Sequence, residues 1–293
     1  MTSLKQYQRY FAGVEALSWL PLPLAWATAA RYAAYCSPQR DAMPVILARM
    51  QRALPWVTPE LPHLRQRYLH NVGVHDVALF LYQRLDIAWV RRRVQIQGEE
   101  YLHPPQGQGL FLLSFHHHHN GLLYAILGLL GVKLSVIAQD PRTSPLYTAL
   151  ARQARLMYDD SERHFNGGQY IYIDAQRPSL PRTAFRALHQ GEALLSTNDF
   201  PQAQLPKRHV WLEALGSKFP IPSGSLELAL HAGAALACVH LLWLRRDEFV
   251  LTVTPLAADT VAHLAQQYAG ALDALGRAHP AAWEWSALVD PAA

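Results

Sequence analysis

Gly109-Leu110-Phe111-Leu112-Leu113-Ser114-Phe115, then His116-His117-His118-His119-Asn120-Gly121, then the apolar run from Leu122 to Leu130, is the stretch whose reading decides the fold. A short continuous apolar run bounded by glycine has the length of a buried strand, and the run after it is long enough for a helix. Strand feeding into helix is the unit of an open α/β sheet, in which ligands and catalytic groups sit beyond the carboxyl ends of the strands. The four histidines occupy that junction. Imidazole titrates close to neutral pH, so a histidine placed there can take a proton and return it within one cycle. Consecutive residues point in different directions in either strand or helix, so at most one or two of the four rings serve one reacting group.

Outward from this stretch the same alternation continues. Strands are expected at Val94-Gln95-Ile96-Gln97 before Gly98, and at Leu110 to Phe115, Leu134 to Ala138, Tyr170 to Ile173, Ala193 to Ser196, Ala235 to Leu244 and Phe249 to Val253. Helices are expected between them at Leu122 to Leu130, Ser144 to Met157, Thr183 to Gln190 and Ser225 to His231, with a last one from Thr260 to Gly276. The fold class is therefore α/β: a mainly parallel central sheet flanked by helices, covering residues 94–293. Residues 1–93 read instead as a helical N-terminal region that docks on a membrane or closes a pocket. Its segments are Phe11 to Trp19, Leu24 to Tyr35 after the corner made by Pro21 and Pro23, Asp41 to Leu54, and Leu64 to Trp89 ending on Arg91-Arg92-Arg93. Those arginines suit either anionic head groups or an ordinary helix end.

Of 293 residues, 51% are apolar and only 16% charged, against roughly 25% charged in typical soluble domains, so more apolar surface than usual must be hidden or docked. A net charge of +4 fits an anionic partner, such as a lipid surface or an acidic carrier protein. Glu15, Arg31 and the two prolines interrupt the apolar segment from Phe11 to Tyr35, which favours an interfacial helical pair over a membrane span; no cleavable secretory signal is expected. Cys36 and Cys238 are expected as two buried thiols in a reducing cytoplasm. Nucleic-acid binding is excluded by the lack of a basic face interleaved with aromatics, and no glycine-rich phosphate loop or dinucleotide fingerprint occurs.

Four blocks recur in a set order: Val94-Gln95-Ile96-Gln97-Gly98-Glu99-Glu100-Tyr101-Leu102, Gly109 to Gly121, Gly191-Glu192-Ala193-Leu194-Leu195-Ser196-Thr197-Asn198-Asp199, and Pro222-Ser223-Gly224-Ser225 with Gly233-Ala234-Ala235. With the N-terminal apolar segment and its Leu-Pro pairs, they resemble the lipid A biosynthesis acyltransferases, the lauroyl and myristoyl transferase group within the lysophospholipid acyltransferase superfamily. The resemblance implies a glycerolipid acyltransferase-like fold and transfer of an acyl group from an acyl carrier protein or CoA thioester to a hydroxyl or amine acceptor. It implies no metal or cofactor, and a location in the cytoplasm, peripheral on the inner face of the membrane. The acceptor would be a lipid or a specialised natural product.

That family carries a histidine followed five positions later by a carboxylate. His116 falls on the histidine, but Gly121 stands where the acid belongs. Three readings stay open. His116 or a neighbouring histidine is the base, with Asn120, Asp199 or Asp140 fixing its tautomer; or the chain binds acyl groups or carriers without transferring them; or the histidines hold a metal, although adjacent rings converge poorly on one ion. Further substrate-binding candidates are His117, Asp140 and Arg142 after the third strand, where relatives carry an arginine before the proline, and Ser223 and Gly224 at a helix start that suits an oxyanion or phosphate. Asp140, Asp199 and Ser223 equally suit turn or capping roles. Lys207-Arg208-His209 and Lys218 suit a carrier's acidic surface or ordinary solvated loops.

Overall fold

The computed structural model describes residues 4–140, 150–173, 182–199 and 208–285. Its strands are β1 (Val94–Gln97), β2 (Leu110–Ser114), β3 (Leu134–Gln139), β4 (Tyr170–Ile173), β5 (Ala193–Thr197), β6 (His209–Ala214), β7 (Ser217–Pro222), β8 (Ala235–Arg245) and β9 (Glu248–Leu256). Seven of them form one sheet in the order β1-β9-β8-β2-β5-β3-β4. Every neighbouring pair is parallel except β8 and β9, which a tight turn joins into a hairpin.

The helices are α1 (Leu4–Ser18), α2 (Leu22–Cys36), α3 (Met43–Ala53), α4 (Leu61–Leu81), α5 (Ile87–Arg93), α6 (Asn120–Leu129), α7 (Ala151–Arg155), α8 (Arg182–His189), α9 (Gly224–His231) and α10 (Val261–Ala278). Strand β2 shows how they cover the sheet. Leu110 and Leu112 join an apolar cluster with α1, α2, α5 and α6, while Phe111 and Leu113, with Phe115 just beyond the strand, join a second cluster with α3, α8, α9 and α10. Both faces are dry, which is why β2 reads as an unbroken apolar run rather than an alternating one. Each fully buried leucine or phenylalanine contributes about 1.5–3 kcal/mol relative to exposure.

Helix α4 belongs to both clusters, through Leu64 to Val72 on one side and Val74 to Leu81 on the other. The N-terminal helices therefore share the core of the sheet. The approach of α4 to α2 is close: a Cβ on Gly73 would lie 2.2 Å from the Ala29 carbonyl oxygen, so only glycine lets these backbones meet. Arg84 ties the end of α1 to this assembly through the Ser18 carbonyl and, at 3.0 Å, the Leu20 carbonyl.

Three expectations change. The helix read from Leu64 to Trp89 breaks after Leu81, and Asp86 caps a new helix by accepting the Trp89 N–H at 2.6 Å. The β6–β7 hairpin was not expected; its turn uses Leu215 and Gly216, both at positive φ, and a leucine there gives no hairpin signal. Cys36 is exposed rather than buried, and both thiols are free. Of the helix read from Ser144 to Met157, residues 144–149 lie outside the described ones, and α7 passes into a wider π-type turn over Leu156–Asp160. No helix among the described residues is long and apolar enough to cross a membrane.

Candidate active site

The chain leaves β2 into α6 on one face of the sheet and leaves neighbouring β5 towards β8, with α9 on the other face. Adjacent carboxyl ends whose connections diverge in this way open a crevice. In the parallel register Ser114 pairs with Thr197, and continuing that register by two residues brings His116 opposite Asp199.

The meeting is close. His116 Nδ1 lies 2.8 Å from Asp199 Oδ1, and the His116 backbone N–H points at both carboxylate oxygens, at 3.0 and 2.8 Å. Asp199 is fully buried, and the Trp283 indole donates to its Oδ2 at 2.6 Å. The Tyr268 hydroxyl stands 3.4 Å from Oδ1 while donating to the Ser114 carbonyl at 2.7 Å and accepting the Asn198 N–H at 3.2 Å. A carboxylate surrounded by donors fixes the tautomer: Nδ1 carries the proton and Nε2 keeps its lone pair. Nε2 faces the Thr197 hydroxyl at 3.5 Å. Burial works against the imidazolium, but the Asp199 carboxylate beside the ring outweighs it, with help from Glu284, and holds His116 above the ordinary histidine range.

Tyr82 accounts for the glycine at position 121. A Cβ there would lie 2.3 Å from the Tyr82 hydroxyl oxygen, so that space is already filled. No carboxylate fits at 121 unless Tyr82 moves, and the acid that meets His116 comes from the end of β5 instead.

The candidates divide plainly. His116 and Asp199 are brought together. Asn120 opens α6 with its side-chain oxygen buried and without a hydrogen-bond partner among the described residues. Asp140 follows β3, two strands from β2, and its charge acts on Tyr172 of the neighbouring β4. Arg142 lies outside the described residues. Ser223 and Gly224 begin α9, where the Ser223 hydroxyl donates to Glu227 at 2.6 Å; it is Ser225 that reaches the β5 end, accepting from Asn198 Nδ2 at 3.0 Å. Lys207 is also outside the described residues, while Arg208 pairs with Glu227 at 3.1 Å and Lys218 with Glu213 at 2.6 Å. Two of the three arginines closing α5 meet the protein's own acids, Arg91 to Glu99 and Arg93 to Asp247.

His117, His118 and His119 turn inward and are buried. His117 Nδ1 accepts the His119 N–H at 3.1 Å, with the Leu241 N–H 3.4 Å from its Nε2; this places the ring inside the fold rather than on a substrate-facing surface. His118 packs edge-on against Tyr68, ring centroids 4.4 Å apart, and His119 Nε2 meets Asn71 Oδ1 at 3.2 Å. Burial pushes all three below the ordinary range, His118 to about 3, so they are neutral. Among the described residues no group of three His, Cys, Asp or Glu side chains is placed to hold a metal ion.

Sequence reasoning missed Thr197 at the end of β5, Tyr268 within α10 and the segment after α10. Glu284 N–H donates to the His116 carbonyl at 2.8 Å, His118 N–H to the Ala282 carbonyl at 3.3 Å, and Asn71 to the Ala281 carbonyl at 2.8 Å, strapping this segment over the histidines. Burial raises the Glu284 carboxyl, as does nearby Asp199, while His116 pulls it down. The one available signal was the pairing of two tryptophans around an acid, Trp283-Glu284-Trp285.

No protein-family model and no curated protein matches the sequence. A solved structure with a distant likeness is that of the 1-acyl-sn-glycerophosphate (LPA) acyltransferase PlsC from Thermotoga maritima, at 13% identity and a TM-score of 0.39, over 84% of this chain and 99% of that one.

Proposed function

We propose that this chain is an acyltransferase, moving an acyl group from a thioester on an acyl carrier protein or CoA to a hydroxyl or amine acceptor in lipid or specialised natural-product biosynthesis. The observation that carries the reading is His116, with Nδ1 held by buried Asp199 and Nε2 facing the Thr197 hydroxyl at 3.5 Å. A tautomer-locked imidazole in a crevice at strand ends is what deprotonating an acceptor requires. The order of the sequence blocks, which resembles the lipid A lauroyl and myristoyl transferases, supports acyl transfer as the reaction. No metal or redox cofactor enters this chemistry.

Exposed Trp19, Leu24 and Tyr35 on and between the first two helices, with a net charge of +4, support a peripheral place on the inner face of the cytoplasmic membrane. The test incubates acyl carrier protein loaded with labelled fatty acids, and labelled acyl-CoA, with hydroxyl and amine acceptors. Transfer by the wild type that is lost in His116→Ala is the expected result. Unchanged transfer by that variant would remove His116 as base. Donor binding without turnover in either protein would make the chain a non-catalytic acyl or carrier-binding module.

A further inference from the structure

We propose that Thr197 is a catalytic nucleophile, and that transfer passes through an acyl-threonine ester; this rests on the acyltransferase reading above. The Thr197 hydroxyl, His116 and Asp199 stand in line, with Oγ1 at 3.5 Å from Nε2 and Nδ1 at 2.8 Å from the carboxylate. Hydroxyl, imidazole and buried carboxylate in that order form the relay that activates a weak oxygen nucleophile, and such relays are recognised by geometry and not by position in the chain. The longer hydroxyl contact is the one that tightens when substrate binds.

The strand makes the arrangement specific. Residues two apart on β5 and its extension share a face, so Thr197 and Asp199 both turn towards His116, whereas Asn198 between them turns away to Ser225. Ser196 also turns away, donating to the Asn198 amide oxygen at 2.9 Å. Thr197 is only partly buried, so a donor can reach it.

In the first half-reaction Oγ1 bonds to the thioester carbonyl carbon as its proton passes to Nε2. The C–S bond then breaks, and the thiol leaves carrying that proton. In the second half-reaction the acceptor hydroxyl or amine gives a proton to Nε2 and attacks the ester carbonyl. The C–Oγ1 bond breaks, and Thr197 recovers its hydroxyl proton from the imidazolium. Atoms and charge balance without any further reactant.

The test mixes the full-length protein with octanoyl N-acetylcysteamine thioester without acceptor, quenches in acid, and reads intact and peptide masses. The expected result is one octanoyl group on Thr197, absent in Thr197→Val and His116→Ala and retained in Thr197→Ser. Thr197→Cys should carry it as a thioester that neutral hydroxylamine removes. With acceptor present, Thr197→Val should lose at least 100-fold in transfer. Turnover of the probe by the wild type with no adduct overturns the covalent step whatever the valine variant does, and leaves acyl transfer by His116 standing. No turnover and no adduct, with carrier-bound and CoA donors equally inert, overturns both.

Discussion

His116 and the three histidines after it form one run of identical residues in two opposite environments. The first ring lies beside a buried carboxylate that favours its charged form; the other three are packed against Tyr68, Asn71, Phe249 and each other, where only the neutral form is tolerated. The difference lies in which strand end each ring meets. His116 continues the β2–β5 register, while His117 turns towards Leu241 of β8 and His118 and His119 towards Tyr68 and Asn71 of α4. Proton transfer and packing are thus divided within four residues.

The most direct way to break this contrast is to remove the carboxylate. Asp199→Asn should cut transfer by roughly 10³–10⁴-fold, because an amide no longer fixes Nδ1 as the donor. An assay retaining more than a tenth of wild-type rate would show that His116 does not depend on this partner. The same contrast appears in the pH–rate profile. A base must be neutral to act, and His116 is held above the ordinary value of about 6.5, so the acidic limb should have its midpoint above that value and move down in Asp199→Asn.

Trp283→Phe removes one buried donor from Asp199 without touching the histidine. Leaving a carboxylate oxygen short of a partner costs about 1–3 kcal/mol, so transfer should fall 10- to 100-fold through kcat while KM for the donor stays near wild type. Equal loss in KM would place the tryptophan in substrate binding.

The inward-facing side of the contrast is tested by stability. Burial holds His117 to His119 below their unfolded values, and lowers His75 and His240 to about 4. As pH falls below about 6.5 the unfolded chain takes up protons first, so the stability these rings provide is full above that pH and drains towards pH 4. Asp76, raised by burial to about 7, runs the opposite way in the same window and offsets one of them. The urea midpoint should therefore fall between pH 7 and pH 5. His118→Phe, which keeps the edge-on contact with Tyr68, should flatten that fall; an unchanged slope would acquit His118.

The smallest effects concern position 121. Gly121→Ala forces a methyl against the Tyr82 hydroxyl and should cost about 1–3 kcal/mol. Tyr82→Phe removes a buried hydroxyl that has no partner among the described residues and should change stability by less than about 1 kcal/mol. The double variant should recover most of the alanine penalty, and strict additivity of the two would rule out Tyr82 as the obstacle.

Much of this architecture was legible in residue order. The apolar runs at Leu110, Leu134, Tyr170, Ala193, Ala235 and Phe249 are strands because a sheet covered on both faces has no polar side to interrupt the pattern. The β6–β7 hairpin was not legible, since a leucine in a left-handed turn and prolines along β7 carry no strand signal. At the site, His116 stood out by its place at a strand end. Asp199 was one of three candidate partners, and local spacing could not choose among them. Trp283, Tyr268 and Glu284 gave no reason to be joined to Asp199, Ser114 and His116, which lie 84, 154 and 168 positions away.

The sequence by itself therefore determined the alternation of strand and helix, the dry core and a histidine at the mouth of the sheet, because these follow from periodicity and local chain chemistry. Tertiary structure alone decided which carboxylate meets that histidine, which hydroxyl faces it, and why position 121 must be glycine. Those outcomes depend on strand register and on a tyrosine just after α4, nearly forty residues earlier, and neither is encoded within the span of any local motif.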